Sequence, residues 1–112
     1  MRSDRERLLD IVEAIERIGN QVTRGRSVFI EDVLVQTAVI RWIEIIGEAA
    51  RAISPELREA HPEIPWRQVV AMRNILVHGY FEVDVDAVWS AIEHDTPKLE
   101  AQVRAILDDM TG

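Results

Sequence analysis

Three side chains able to do chemistry or bind an anion crowd into one stretch, RNILVHGYFEVD, residues 73–84: Arg73, His78 and Tyr80. Arginine presents a planar fork of N–H donors that matches phosphate oxygens two at a time. Histidine, with an ordinary pKa of about 6.5, exchanges a proton near neutrality. Together they are equipment for gripping an anion and moving a proton beside it. They are equally the equipment of a helix C-terminus with a polar cap.

Each residue has a structural reading beside the chemical one. Arg73 has Val69, Val70, Leu76 and Val77 as its helical neighbours three and four positions away. A guanidinium buried on such a face needs a partner, because an unpaired buried charge costs several kcal/mol. Glu44 or Glu48 would supply a structural ion pair; an anion at an interface is the alternative. His78 at a helix end is favoured as a capping cation by the macrodipole. Asn74 lies four residues before His78, on the same face, with Ala71 and Arg67 further up that line. Arg73 and His78, five apart, diverge by about 140° and about 7.5 Å on an ideal helix. They converge on one ligand only if His78 sits where the helix has unwound, or if a second subunit supplies the partner group. Tyr80, after Gly79, reads as a packed ring with its hydroxyl at the surface, and Phe81 as its buried neighbour.

The elements that must position these residues are helical. Leu8, Ile11, Val12, Ile15, Ile18 and Val22 follow a three-four rhythm, predicting a helix over 4–22. Residues 23–27 read as a loop broken by Gly25. A second helix is expected over 31–52, with Thr37, Arg41, Glu44, Glu48 and Arg51 as one narrow polar stripe on an otherwise apolar rod. Ser54-Pro55-Glu56 opens a short helix that ends near His61-Pro62. Ile64-Pro65-Trp66 restarts a helix to Val77 or His78, with Gly79 placed as its left-handed terminator. Asp84 caps the last helix, to Asp109, with Val88, Trp89, Ile92, Leu99, Val103, Ile106 and Leu107 inward. Pro97 should kink it or break it with Thr96 as a fresh N-cap. No segment alternates as a strand would. The expectation is one all-α domain over 1–112, an antiparallel bundle of four main helices plus a short one. Surplus apolar surface on the second and last helices points to a dimer.

Composition narrows the function. The chain has no cysteine, which removes thiolate metal sites and cysteine nucleophiles and suits a reducing cytosol. The charged N-terminus carries no signal-peptide core, and Gln36, Arg41, Glu44, Glu48 and Arg51 rule out a span over 33–53, so a cytoplasmic protein off the membrane is expected. A net charge of −7 argues against a wholesale electrostatic grip on nucleic acid. Yet Lys98 is the single lysine among 13 basic residues, so a local arginine groove on an acidic body stays open. His61 and His94 read as solvated or capping, and three scattered histidines make no zinc pattern. No glycine-rich phosphate loop and no nucleophile elbow is present.

Arg73-Asn74, His78, Gly79 and Tyr80 together resemble the arginine–histidine–tyrosine signature of HepT-like toxins of the HEPN superfamily. AVIRWIEIIGEAAR (38–51), SPELREAHPEIPW (54–66) and MRNILVHGYFEVD (72–84) resemble that family in the same order, so the likeness runs over nearly the whole chain. The resemblance implies a dimeric helical bundle acting as a metal-independent endoribonuclease without a cofactor. It implies that Arg73 stabilises the scissile phosphate, that His78 is general acid or base, and that Asn74 positions one or the other. The two copies of each residue would meet across the dimer axis. It also implies a partner, a small nucleotidyltransferase of the MNT type that transfers AMP onto Tyr80 and so neutralises the toxin. The alternative is a non-catalytic helical module that binds that partner or a nucleotide.

Overall fold

A computed structural model describes residues 2–78 and 82–111, without the side chains of Ile75, Val77, His78 and Thr111. Gly79, Tyr80 and Phe81, and the roles expected of them, lie outside the described residues. The first helix, α1 (Asp4–Val22), begins at a Ser3 N-cap whose hydroxyl accepts from the Glu6 amide while the Glu6 carboxylate accepts from the Ser3 amide. This reciprocal capping box satisfies two of the orphan donors of the first turn. Leu8, Ile11, Val12, Ile15 and Ile18 are all buried along one face, as their spacing predicts.

The expected 23–27 loop is shorter than predicted. Gly25, at φ +96°, reverses the chain in a conformation only glycine adopts without strain. A six-residue helix, α2 (Arg26–Glu31), follows at once. It drives Phe29 into the core against the Trp89 ring, with centroids 5.5 Å apart. Asp32, in extended backbone, ends α2 and caps α3 (Val33–Ala52) by accepting from the Leu34 and Val35 amides. The long second helix therefore starts two residues later than expected. Ser54 caps α4 (Pro55–Ala60), accepting from the Leu57 amide, and its own hydroxyl donates to Asp4. That bond ties the end of α3 to the start of α1, so the two run antiparallel.

Trp66 opens α5 (Trp66–Leu76) and donates its indole N–H to the His61 carbonyl at 3.0 Å. The close seating of α5 on α3 depends on Gly47. A Cβ there would lie 3.2 Å from the Val70 carbonyl oxygen, closer than side-chain carbons ordinarily approach. Glycine inside a helix costs roughly 0.5–1 kcal/mol relative to alanine, and here the bare Cα makes the approach possible.

After Leu76 the chain leaves the helix. Val77–His78 (β1) pairs antiparallel with Glu82–Val83 (β2), Val77 opposite Val83 and His78 opposite Glu82, and the Asp84 amide closes the turn on the Leu76 carbonyl at 3.0 Å. The expectation that no strand occurs and that the helix reaches Val77 or His78 is corrected by this two-residue ladder. It is too short to show alternation in the sequence.

Asp84 caps α6 (Val85–Ser90) as predicted, accepting from the Ala87 amide. The disruption expected at Pro97 falls earlier, as a π-helical turn over Ala91–Asp95 that runs unbroken into α7 (Thr96–Thr111). Its cause is local. Thr96 donates its amide to Ala91, five residues back, and Pro97 has no amide to give. The Ile92 carbonyl would be left without a donor, but the buried Thr96 hydroxyl supplies one at 3.0 Å. Thr96 is thus not an N-cap but the patch that keeps one continuous rod.

The architecture is all-α apart from the ladder. Four rods (α1, α3, α5 and the α6–α7 rod) form the bundle, with α1 packed on α3 and α7, and α3 on α5. Two short helices join them where one was expected. Arg26 meets Asp86 at 2.6 Å, holding α2 against the start of α6. No helix among the described residues is long and apolar enough to cross a membrane.

Candidate active site

The α3–α5 crossing sets the site. Stepping one turn back along α3 from Gly47 reaches Glu44, and one turn forward along α5 from Val70 reaches Arg73. Arg73 Nε lies 3.9 Å from Glu44 Oε2, an ion pair without hydrogen-bond geometry. Glu48 is engaged elsewhere, with Arg41 on its own helix at 3.4 Å. Of the two partners open to Arg73, the structure selects Glu44. The premise of a buried guanidinium is corrected, however: the Arg73 side chain is 44 % exposed and that of Glu44 33 %. A long arginine stem can pass apolar neighbours and still keep its charged head in water, which the exposure of Arg73 reflects. A pair this open and this long contributes about 1 kcal/mol or less after screening. Arg73 is therefore available to an external anion.

Asn74, the next residue, is exposed and lies about 100° round the helix from Arg73. It lines a groove of about 480 Å³ together with Arg51, Arg58, Trp66, Arg67, Val70 and Ala71. Arg73 and Asn74 thus occupy adjacent faces of the last turn of α5, not one pocket. His78 lies in β1, past the helix end at Leu76. The 140° divergence computed for a continuous helix does not apply, because the backbone has unwound two residues earlier. One of the two conditions for convergence is met within a single chain. The offset alone no longer requires a second subunit. Tyr80 lies outside the described residues.

The other histidines behave as expected of capping or solvated residues. His61 ends α4 with Nδ1 3.2 Å from Glu63 Oε2, and His94 holds Nδ1 3.1 Å from the Ser90 carbonyl, largely in water. Among the described residues no three His, Asp or Glu side chains gather as metal ligands would.

The sequence model of the family described as Ribonuclease HepT-like matches residues 8–106, a span that holds Arg73, Asn74, His78 and Tyr80. The chain belongs to the HepT-like family. A Thermococcus cleftensis protein named probable ribonuclease HepT is 45% identical over 90% of this chain and 93% of its own length. A Methanocaldococcus jannaschii protein assigned as an RNase is 42% identical over 70% of this chain and 72% of its own length. A Caldanaerobacter subterraneus protein, also assigned as an RNase, is 40% identical over 70% of each chain. No solved structure matches the chain. Within this HepT-like fold, the residues that reading the motif alone did not single out are Arg51, Arg58 and Arg67. Their signal was present in the preference for arginine over lysine, but it takes the packing of α3, α4 and α5 to bring them together.

Proposed function

We propose that the protein is a metal-independent endoribonuclease, the toxin of a two-component module acting in the cytoplasm. One observation carries the reading. Arg73 and Asn74 stand exposed in the last turn of α5, immediately before the chain unwinds into the strand that holds His78, inside the 8–106 stretch matched to the ribonuclease family. The RNase names of relatives covering most of their own length support the same chemistry. Arg73 binds the scissile phosphate and offsets the negative charge that builds on it in the transition state. His78 takes the proton of the 2′-hydroxyl or returns one to the leaving oxygen, and Asn74 orients phosphate or imidazole by hydrogen bonds. Two chains pair so that both copies of the motif line one cleft. An MNT-type nucleotidyltransferase switches the toxin off by adding AMP to Tyr80, whose new negative charge repels an RNA backbone.

The test is RNA incubated in EDTA with the purified protein and with Arg73→Ala and His78→Ala variants. Cleavage by the parent alone is the expected result. RNA left equally intact by all three would replace this reading with a non-catalytic module that binds the nucleotidyltransferase. Light scattering at micromolar concentration should give the mass of a dimer. Co-expression with a cognate MNT-type nucleotidyltransferase should add AMP mass that disappears in Tyr80→Phe.

A further inference from the structure

The groove lined by Arg51, Arg58, Arg67 and Asn74 is a concentration of positive charge on a chain of net charge −7. Elsewhere most arginines are committed: Arg2, Arg17, Arg26, Arg41, Arg73 and Arg104 each pair with a carboxylate. Arg51, Arg58 and Arg67 pair with none of the described residues. Helix electrostatics account for two of them in part. Arg51 and Arg58 occupy the last turns of α3 and α4, where the helix dipole favours a cation. Arg67 has no such excuse. It is the second residue of α5, whose first turn holds no acid, so its charge opposes the dipole and sits beside two like charges. A position unfavourable on its own chain becomes favourable when an anion fills the groove.

The walls define which anion. Trp66 is 9 % exposed and its indole N–H is held by the His61 carbonyl, so its ring cannot swing out as a platform for a base. Val70 and Ala71 offer small apolar surface, and only Asn74 offers an amide. The groove therefore meets charge rather than base edges. Arg67 and Asn74 are seven residues apart, about 10 Å along α5, which suits an extended backbone running toward Arg73 better than a compact anion. Resting on the ribonuclease reading, the geometry points to a phosphate-tracking subsite: Arg51, Arg58 and Arg67 seat the backbone of single-stranded RNA flanking the cut, without reading its sequence.

The decisive measurement is binding of a fluorescently labelled single-stranded oligoribonucleotide as a function of salt. Each phosphate that the protein no longer neutralises lowers the slope of log affinity against log salt by about 0.7 for single strands. The triple variant Arg51→Gln, Arg58→Gln, Arg67→Gln should bind at least tenfold more weakly and lose about 2 from that slope. Its KM for RNA should rise while kcat at saturation holds. The triple lysine variant should keep the slope, as should Arg17→Gln, whose arginine pairs with Glu13 on α1. Melting curves guard against misfolding, and Arg67→Gln alone should melt at the parental temperature or above. An unchanged slope and Kd in the triple variant overturns the subsite even if the protein cleaves RNA. So does failure of the parent to bind RNA, or AMP displacing the oligonucleotide at micromolar concentration, which would mark a mononucleotide pocket. If the parent binds without cleaving and the triple variant loses the slope, the subsite stands and the nuclease reading falls.

Discussion

Glu44 and Arg73 face each other across the α3–α5 crossing at 3.9 Å, too far for a hydrogen bond and too exposed for a structural ion pair of any weight. The carboxylate tethers the guanidinium loosely and competes with whatever anion approaches. Glu44→Gln should therefore leave the unfolding free energy within about 1 kcal/mol of the parent, measured by urea titration. The same variant should lower KM for RNA, because a negative charge next to the incoming phosphate is gone.

Arg73→Ala should reduce RNA cleavage by about 10²- to 10³-fold, the loss typical of removing one donor to a developing oxyanion. Arg73→Lys should recover little of it, since a point charge lacks the two-pronged geometry. Both variants should melt near the parental temperature. A large drop in melting temperature would instead make Arg73 a structural residue.

His78→Ala should lower kcat by about 10²- to 10⁴-fold, the range for loss of a general acid or base. Its effect on stability should be small, because the β1–β2 ladder pairs His78 with Glu82 through backbone groups. Single-turnover cleavage beside a circular-dichroism melt separates the two.

Thr96→Val should cost about 1–3 kcal/mol, because the Ile92 carbonyl loses its buried donor. In a Pro97→Ala background a backbone amide becomes available to that turn, and the same substitution should cost less. A double-mutant cycle by chemical denaturation reads the coupling directly. Additive effects would mean that the hydroxyl does not compensate for the proline.

Glu6 titrates below the usual glutamate value, first because the Ser3 amide donates to its carboxylate and then because the Ser3 hydroxyl does. A depressed folded value gives stabilisation that is complete above the unfolded value and is lost as pH falls through the folded one. Acid unfolding below about pH 5 should accordingly carry a contribution from Glu6 that Glu6→Gln removes. NMR titration of the Glu6 carboxyl should move only part of the way back toward the ordinary glutamate value in Ser3→Ala, which removes the hydroxyl donor and keeps the amide.

Much of the frame was legible in the sequence because it is written in periodicity and caps. The bounds of α1, the Ser54 cap and the Asp84 cap follow from local chemistry that tertiary contacts do not override. The six residues of α2 escaped because a helix under two turns shows no period, and the buried Phe29 looks like any apolar residue in a loop. The ladder at residues 77–78 escaped for the same reason. The π-helical turn was half legible: Pro97 announces a conflict, but where it is absorbed depends on Thr96 being able to rescue one particular carbonyl. For the site, residue types singled out Arg73 and His78 as candidates and the family resemblance added Asn74, while the exposure of Arg73 was misjudged. Counting apolar neighbours around Arg73 cannot distinguish a buried charge from a long stem lying over an apolar surface.

Gly47 touches α5 at Val70, with the Glu44–Arg73 pair one turn to one side and Arg51 and Arg67 one turn to the other. The bare glycine acts as a fulcrum and α5 as the lever across it. Any side chain at position 47 that pries the helices apart tilts the Arg73 end and the Arg67 end together. In the proposed ribonuclease, grip on the strand and alignment of the scissile bond are then mechanically linked through one contact, the bare Cα of Gly47 against the Val70 carbonyl.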